Sequence, residues 1–225
     1  MYNIFRYIVS LTFVLLCSNY LVSQTLETDS IVVPLWQGIE LETDVVPLIS
    51  NLLNDDKTFR YEVLSRVNLK NKYFPVVEVG YEGKHRELGS GIDFTGTGMF
   101  YRVGLDFNLL KSMSTQAVKN KFLLGARLGY SNFFYDISNI SYIDEYKGAD
   151  ITGNIIGLQS KSLWFEIVGG IRIEILKNVS VGWSVRIKNQ LGEPEAGAII
   201  PWYIPGFGQT GSSVWAFNYM IGYKF

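Results

Sequence analysis

The sequence predicts an all-β fold, a single antiparallel up-and-down transmembrane β-barrel of about eight strands behind an N-terminal signal peptide. Three observations carry that expectation. The first lies between Ser162 and Leu191, where Leu163, Phe165, Ile167, Ile171, Ile173 and Ile175 alternate with Glu166, Gly170, Arg172 and Glu174. Val179, Val181, Trp183, Val185 and Ile187 then alternate with Ser180, Gly182, Ser184, Arg186 and Lys188. A period of two belongs to strands, and Lys177-Asn178 between the two segments has the size and chemistry of a tight hairpin turn. One face is uniformly large and apolar, while the other mixes glycine with charges of both signs. That is the pattern of a barrel apolar toward lipid and polar toward its lumen. The second observation is a leader. The third is the chain's end, Asn218-Tyr-Met-Ile-Gly-Tyr-Lys-Phe225, which places Tyr219, Ile221, Tyr223 and a final aromatic at alternate positions.

Residues 1–6 carry the leader's positive charge and 7–16 are an apolar run too short to span a bilayer. Ser18-Asn19 and Ser23-Gln24 follow. Residues 1–24 therefore read as a cleaved signal peptide, cut near Ser23 or Gln24, and 25–225 as one barrel domain bound for the bacterial outer membrane. Cys17, the only cysteine, would leave with the leader; the alternative of an acylated lipoprotein cysteine wants a small residue where Leu16 stands. No later segment approaches the ~18 uninterrupted apolar residues of a membrane helix. At 225 residues, with no Pro/Ser-rich linker or charge block, the chain is expected to form one domain. Removing Arg6 with the leader leaves 19 basic against 21 acidic residues, which gives no cationic footprint for nucleic acid.

Residues 25–36 have no clear period and form a lead-in. Strands are expected over 38–46, 58–69, 73–82, 94–109, 121–131 and beyond, 162–176, 179–191 and 214–225. In the first, Ile39, Leu41, Thr43 and Val45 oppose Glu40, Glu42 and Asp44; in the second, Tyr61, Val63, Val67 and Leu69 oppose Arg60, Glu62 and Arg66. Val77, Val79 and Tyr81 then oppose Glu78, Gly80 and Glu82. The fourth sets Met99, Tyr101, Val103, Leu105 and Phe107 against Phe100, Arg102, Gly104, Asp106 and Asn108, and the fifth sets Phe122, Leu124, Ala126, Leu128 and Tyr130 against Gly125, Arg127 and Gly129. Trp215, Phe217, Tyr219, Ile221, Tyr223 and Phe225 give the last strand its lipid face. With both termini periplasmic, the long connections 47–57 (holding a short helical turn over 48–53), 84–93, 132–161 and 190–213 are exterior. The turns 70–72 and 177–178 are periplasmic, as is 110–120, although it is longer than such turns usually are.

The inward positions collect the acids Glu40, Glu42, Asp44, Glu62, Glu78, Glu82, Asp106, Glu166 and Glu174, and the bases Arg60, Arg66, Arg102, Arg127, Arg172, Arg186, Lys188 and Lys224. Their signs nearly cancel. An eight-stranded barrel is just wide enough for side chains to fill, so these charges are expected to pair with one another. An ion-conducting or ligand-binding lumen is the alternative.

No catalytic, cofactor-binding or metal-ligating residue is assigned. His85, the sole histidine, falls in the polar loop 84–93 between Lys84 and Arg86, where a solvated histidine is the expected role. One histidine and one leader cysteine cannot form a zinc site. Gly89-Ser-Gly91 and Gly96-Thr-Gly98 lack the Lys-Ser/Thr of a phosphate loop. Acid pairs such as Glu40 with Glu42, or Glu193 with Glu195, are too ordinary to mark glycosidase or metal chemistry. The loop Pro201-Trp-Tyr-Ile-Pro-Gly-Phe-Gly208 stands out because Trp202, Tyr203 and Phe207 are held by two prolines. It either folds over the barrel mouth as a lid or meets a partner.

The run from Leu163 to Lys188, Trp202-Tyr-Ile-Pro-Gly-Phe207 and Phe217-Asn-Tyr resemble an uncharacterised family of small bacterial outer-membrane β-barrel proteins, a domain of unknown function, most strongly from about Phe122 onward. The resemblance implies fold and location and carries over no functional residue. The expected function is that of a monomeric outer-membrane barrel without catalysis, in structural or surface-interaction roles through exterior loops. Its partners would be outer-membrane lipid and, through the strand ending at Phe225, the barrel-assembly machinery. A soluble lipocalin-like small-molecule binder and a lipid-modifying barrel enzyme are the alternatives.

Overall fold

The computed structural model describes residues 34–53, 58–89, 91–110, 119–143, 150–195, 199–211 and 213–225. The predicted signal peptide over 1–24, with Cys17, and the lead-in up to residue 33 lie outside them. The elements in order are β1 (Trp36–Asp44), α1 (Val45–Leu53), β2 (Phe59–Leu69), β3 (Tyr73–Glu87), β4 (Asp93–Asn108), β5 (Asn120–Ile143), β6 (Asp150–Leu176), β7 (Val179–Gln190), β8 (Tyr203–Ile204), β9 (Gly208–Gln209) and β10 (Val214–Lys224). Eight of the strands form one antiparallel sheet in chain order. Because β10 pairs with both β7 and β1, the sheet closes into a barrel, while β8 and β9 form a separate two-stranded hairpin.

Register follows from the faces. Val63 pairs with Val79, Val79 with Tyr101 and Tyr101 with Tyr130, so outward apolar positions line up across four strands. Their inward neighbours Leu64, Glu78, Arg102 and Gly129 line up in the same way. A slip of one residue would exchange the two sets everywhere, so the contrast between faces fixes the register. Inward glycines make room for large neighbours. A Cβ at Gly80 would collide with the Phe100 ring beside it and one at Gly129 with the Trp164 ring, so small and large residues alternate around the narrow interior. The tight turns take left-handed residues, Lys70 (φ 55°), Asn71 (φ 57°) and Asn178 (φ 68°), as hairpins of this size require.

Three connections differ from the expected loops. β3 and β4 remain paired through Lys84↔Gly96, His85↔Thr95 and Arg86↔Phe94 as far as Glu87↔Asp93, so His85 lies in a strand. Residues 84–87 are all polar, which leaves no alternation to read on this end of β3. Within the predicted excursion, 132–143 and 150–161 are instead a paired ribbon prolonging β5 and β6, with Ile143 opposite Asp150. Register shifts on either side of Ile137, with Asn139 (φ 59°) and Gly157 (φ 76°) in left-handed conformations, interrupt the period of two and hide these strands from the sequence. The loop 190–213 contains the hairpin β8–β9.

The wall is also completed in an unexpected way. β1 pairs with β10 only from Glu40 to Asp44 and with β2 only as far as Thr43. Beyond Asp44 the chain turns into α1, which packs against both β2 and β10. Asp44 makes the switch: its Oδ1 accepts from Val46 N at the helix start and from Tyr219 N, both at 3.2 Å, and Oδ2 accepts from the Asn218 amide. Among the described residues no helix is long and apolar enough to cross a membrane.

Candidate functional site

Two layers fill the barrel. The larger is a charge network in which most inward carboxylates meet at least one guanidinium or ammonium. Glu78 accepts from Arg102 Nη1 (2.7 Å) and Arg186 Nη1 (2.8 Å) and is ion-paired with Arg127. Asp106 joins Arg66 (3.1 Å) to Arg127 (3.2 Å), and Glu42 joins Arg66 to Arg172 (2.9 Å). Toward the turn end, Lys121 pairs with Glu40. Glu166 accepts from the Trp164 indole at 2.7 Å and forms an ion pair with Arg102, whose Nε lies 2.8 Å away. These groups are buried, and a buried charge without a partner is costly, so cancellation of signs within the lumen is a condition of folding. Such a network specifies one arrangement of strands more than it adds net stability.

The second layer closes one end. Residues 201–208 fold into the mouth, and Ile204 and Phe207 are fully buried in an apolar cluster with Phe94, Phe100, Phe133 and Trp164. Polar bonds fasten this plug to the network beneath. Gly206 N and the Tyr203 hydroxyl donate to the two oxygens of Glu82 at 2.6 and 2.7 Å. The Gly206 carbonyl accepts from Arg102 Nη2 (2.8 Å) and Lys188 Nζ (2.7 Å). Gly206 needs its φ of 79° and its missing side chain, since a Cβ there would strike the Phe100 ring. Of the two roles expected for this loop, the structure has it as a lid. Arg86 stacks over Trp202 at 5.0 Å from outside.

Tyr203 gives the plug a pH dependence. Burial, and then the Glu82 carboxylate to which it donates, hold its phenol well above the usual tyrosine value. A pKa higher in the folded than in the unfolded state means that this contribution is complete below about pH 10 and is lost as pH rises through the folded value. Limited proteolysis of the plug should show protection through pH 10 and release above it. Tyr203→Phe should be less protected at neutral pH and should lack that alkaline step; an identical profile for both proteins would count against this attachment.

Most predicted inward charges are brought together, including Glu40, Glu42, Glu62, Glu78, Asp106, Glu166, Arg66, Arg102, Arg127, Arg172 and Arg186. Arg60 bonds Glu62 at 2.6 Å with its side chain 18% exposed, and Glu174 and Lys224 are half-buried at the turn-side mouth. Lys121, absent from the expected set, is buried; stepping back by twos from Arg127 would have found it. His85 Nδ1 lies 3.0 Å from Thr95 Oγ1, and its backbone meets Thr58. Among the described residues no group of three or more His, Cys, Asp or Glu is placed to hold a metal.

A family model described as a domain of unknown function, DUF6048, matches residues 4–225. The chain belongs to the DUF6048 family. The DUF6048 match covers the strands before Phe122 as fully as those after it. No curated protein matches the chain significantly.

Proposed function

We propose that this DUF6048 protein is a monomeric, non-enzymatic barrel of the bacterial outer membrane, exported by a cleaved signal peptide, with a closed lumen and a structural or surface-interaction role carried by its exterior loops. One observation supports it above the others: polarity is inverted relative to a water-soluble domain. Val77, Val103 and Phe217 are half exposed or more while Arg102, Glu166 and Arg127 are sealed inside. Exposed rings occur along the whole outward face, among them Tyr61, Tyr81 and Trp215 toward the plug, Tyr73, Phe107 and Tyr223 toward the turns, and Tyr101, Trp183 and Tyr219 between.

A lipocalin-like binder would need an apolar cavity where this barrel holds its ion pairs, and Trp183, Trp215 and Phe165 would have to face inward. A lipid-modifying enzyme would need a serine and an acid at His85, whose contacts are Thr95 and Thr58.

Cell fractionation with heat-modifiable gel mobility tests the reading. The protein should sit in the outer-membrane fraction and migrate faster unboiled than boiled. A soluble fraction with one mobility would overturn it. The reconstituted protein should show no steady conductance, and large stable channels would count against a closed lumen. Phe225 bonds its backbone N to Ile39 O at 2.8 Å and so completes the closing seam. Deleting it, or replacing Tyr223 with aspartate, should strand unfolded protein in the periplasm; normal membrane levels of both variants would remove the assembly-signal role.

A further inference from the structure

We propose that the turn-side rim of the barrel is a lysine collar that seats on the anionic phosphates of phospholipid headgroups, an inference that rests on the membrane reading above. Lys70 and Lys72 flank the β2–β3 turn, Lys119 precedes β5, Lys177 lies in the β6–β7 turn and Lys224 ends β10. Backbone bonds gather these connections at one rim. Lys70 N donates to Leu35 O (3.0 Å), Glu174 N to Lys119 O (3.0 Å) and Lys224 N to Asn178 O (2.8 Å). Four of the lysines are exposed and Lys224 is half-buried.

Their surroundings point to an external anion. Among the described residues none of the five makes an ion pair, whereas Lys121, a step deeper, is paired with Glu40. Among the described residues the acids at this mouth are Glu174 and Glu40, and Glu40 is already paired with Lys121. Among the described residues the opposite rim leans the other way, with Glu87, Asp93, Asp136, Glu193 and Glu195 against Lys84, Arg86 and Lys161. The charge of the described residues is thus distributed by side.

The chemistry of the occupant follows from what adjoins the collar. Exposed rings of Tyr73, Phe107, Phe122 and Tyr223 stand immediately beside it, and Lys72 Nζ lies 5.3 Å from the centre of the Tyr73 ring. An ammonium held over a ring at the edge of the apolar belt stands where hydrocarbon gives way to the phosphate level. A soluble anion or a nucleic acid would have no use for the apolar belt that abuts the lysines. A phospholipid leaflet meets both.

The test uses the full-length barrel in vesicles of phosphatidylcholine mixed with phosphatidylglycerol, with spin-labelled versions of each lipid reporting which one contacts the protein. Phosphatidylglycerol should be selected at low salt by a factor on the order of ten, given the attraction of each lysine to an anionic surface, and the selection should shrink as salt rises. Combined Lys70→Gln, Lys72→Gln and Lys177→Gln should abolish most of it, while Lys84→Gln with Arg86→Gln at the other rim should leave it unchanged. No selection by the natural protein, or full selection by the triple variant, overturns the proposal. Loss of selection to inorganic phosphate beyond the effect of sodium chloride at matched ionic strength also overturns it, by making the ligand a soluble anion. Failure to enter phosphatidylcholine vesicles at all would instead remove the membrane reading, and the collar with it.

Discussion

Replacing Arg102 with alanine is expected to destabilise the barrel by about 3–5 kcal/mol, the cost of removing one partner from a buried ionic cluster. Its guanidinium is fully buried, and its nitrogens reach Glu166 (2.8 Å), Glu78 (2.7 Å), Glu62 (3.3 Å) and the plug carbonyl of Gly206 (2.8 Å). Truncation would leave three carboxylates facing a cavity with one fewer cation, and would leave Lys188 to hold the Gly206 carbonyl. Lysine at this position keeps the charge but is a single point where a planar fork serves four acceptors, so Arg102→Lys should recover only part of the loss. Urea unfolding of the reconstituted protein measures both. A double variant with Glu166→Gln should lose less than the sum of the single changes, because one charge of the orphaned cluster goes with it. The plug should also become accessible to protease in Arg102→Ala. A loss below about 1 kcal/mol with the plug still protected would mean that the network does not hold this end of the barrel.

How much of this could be read beforehand depends on what each residue had to reveal. The faces of β4 were legible because Tyr101, Val103 and Leu105 differ so sharply from Arg102, Gly104 and Asp106 in size or charge, and the structure keeps that order. Which charge meets which was not legible. Arg172 and Glu42 are 130 residues apart, and Arg66 and Asp106 are 40 apart; their contact depends on how the closed sheet brings distant strands to one height. The ribbon at the ends of β5 and β6 was hidden by bulges around Ile137. Sequence composition singled out the loop 201–208, through two prolines and three rings, but left lid and partner surface both open. Its anchor, Glu82, gave no sign of being different from any other inward acid.

Arginine at Val103 is expected to cost about 2–4 kcal/mol if the outward belt meets lipid, and close to nothing if it meets water. Val103 is suited to the question for three reasons. It is 53% exposed, so its own packing contributes little. It pairs with Val77 and Leu128, so an arginine finds no acidic neighbour on that face. It also stands at the centre of the outward run from Met99 to Phe107, the height farthest from both rims. Position 184 on the inner face would be a poorer probe, since Ser184 is buried against Gly170 and an arginine there would overpack the wall whichever solvent lies outside. Glutamine at Val103 serves as the control for lost β-branching and shape, leaving charge as the difference between the two variants. Unfolding in phosphatidylcholine vesicles should separate arginine from glutamine by most of the expected cost. Equal stability of the two variants there would mean that the belt is not in hydrocarbon, and the exposed apolar face would then have to be covered by protein.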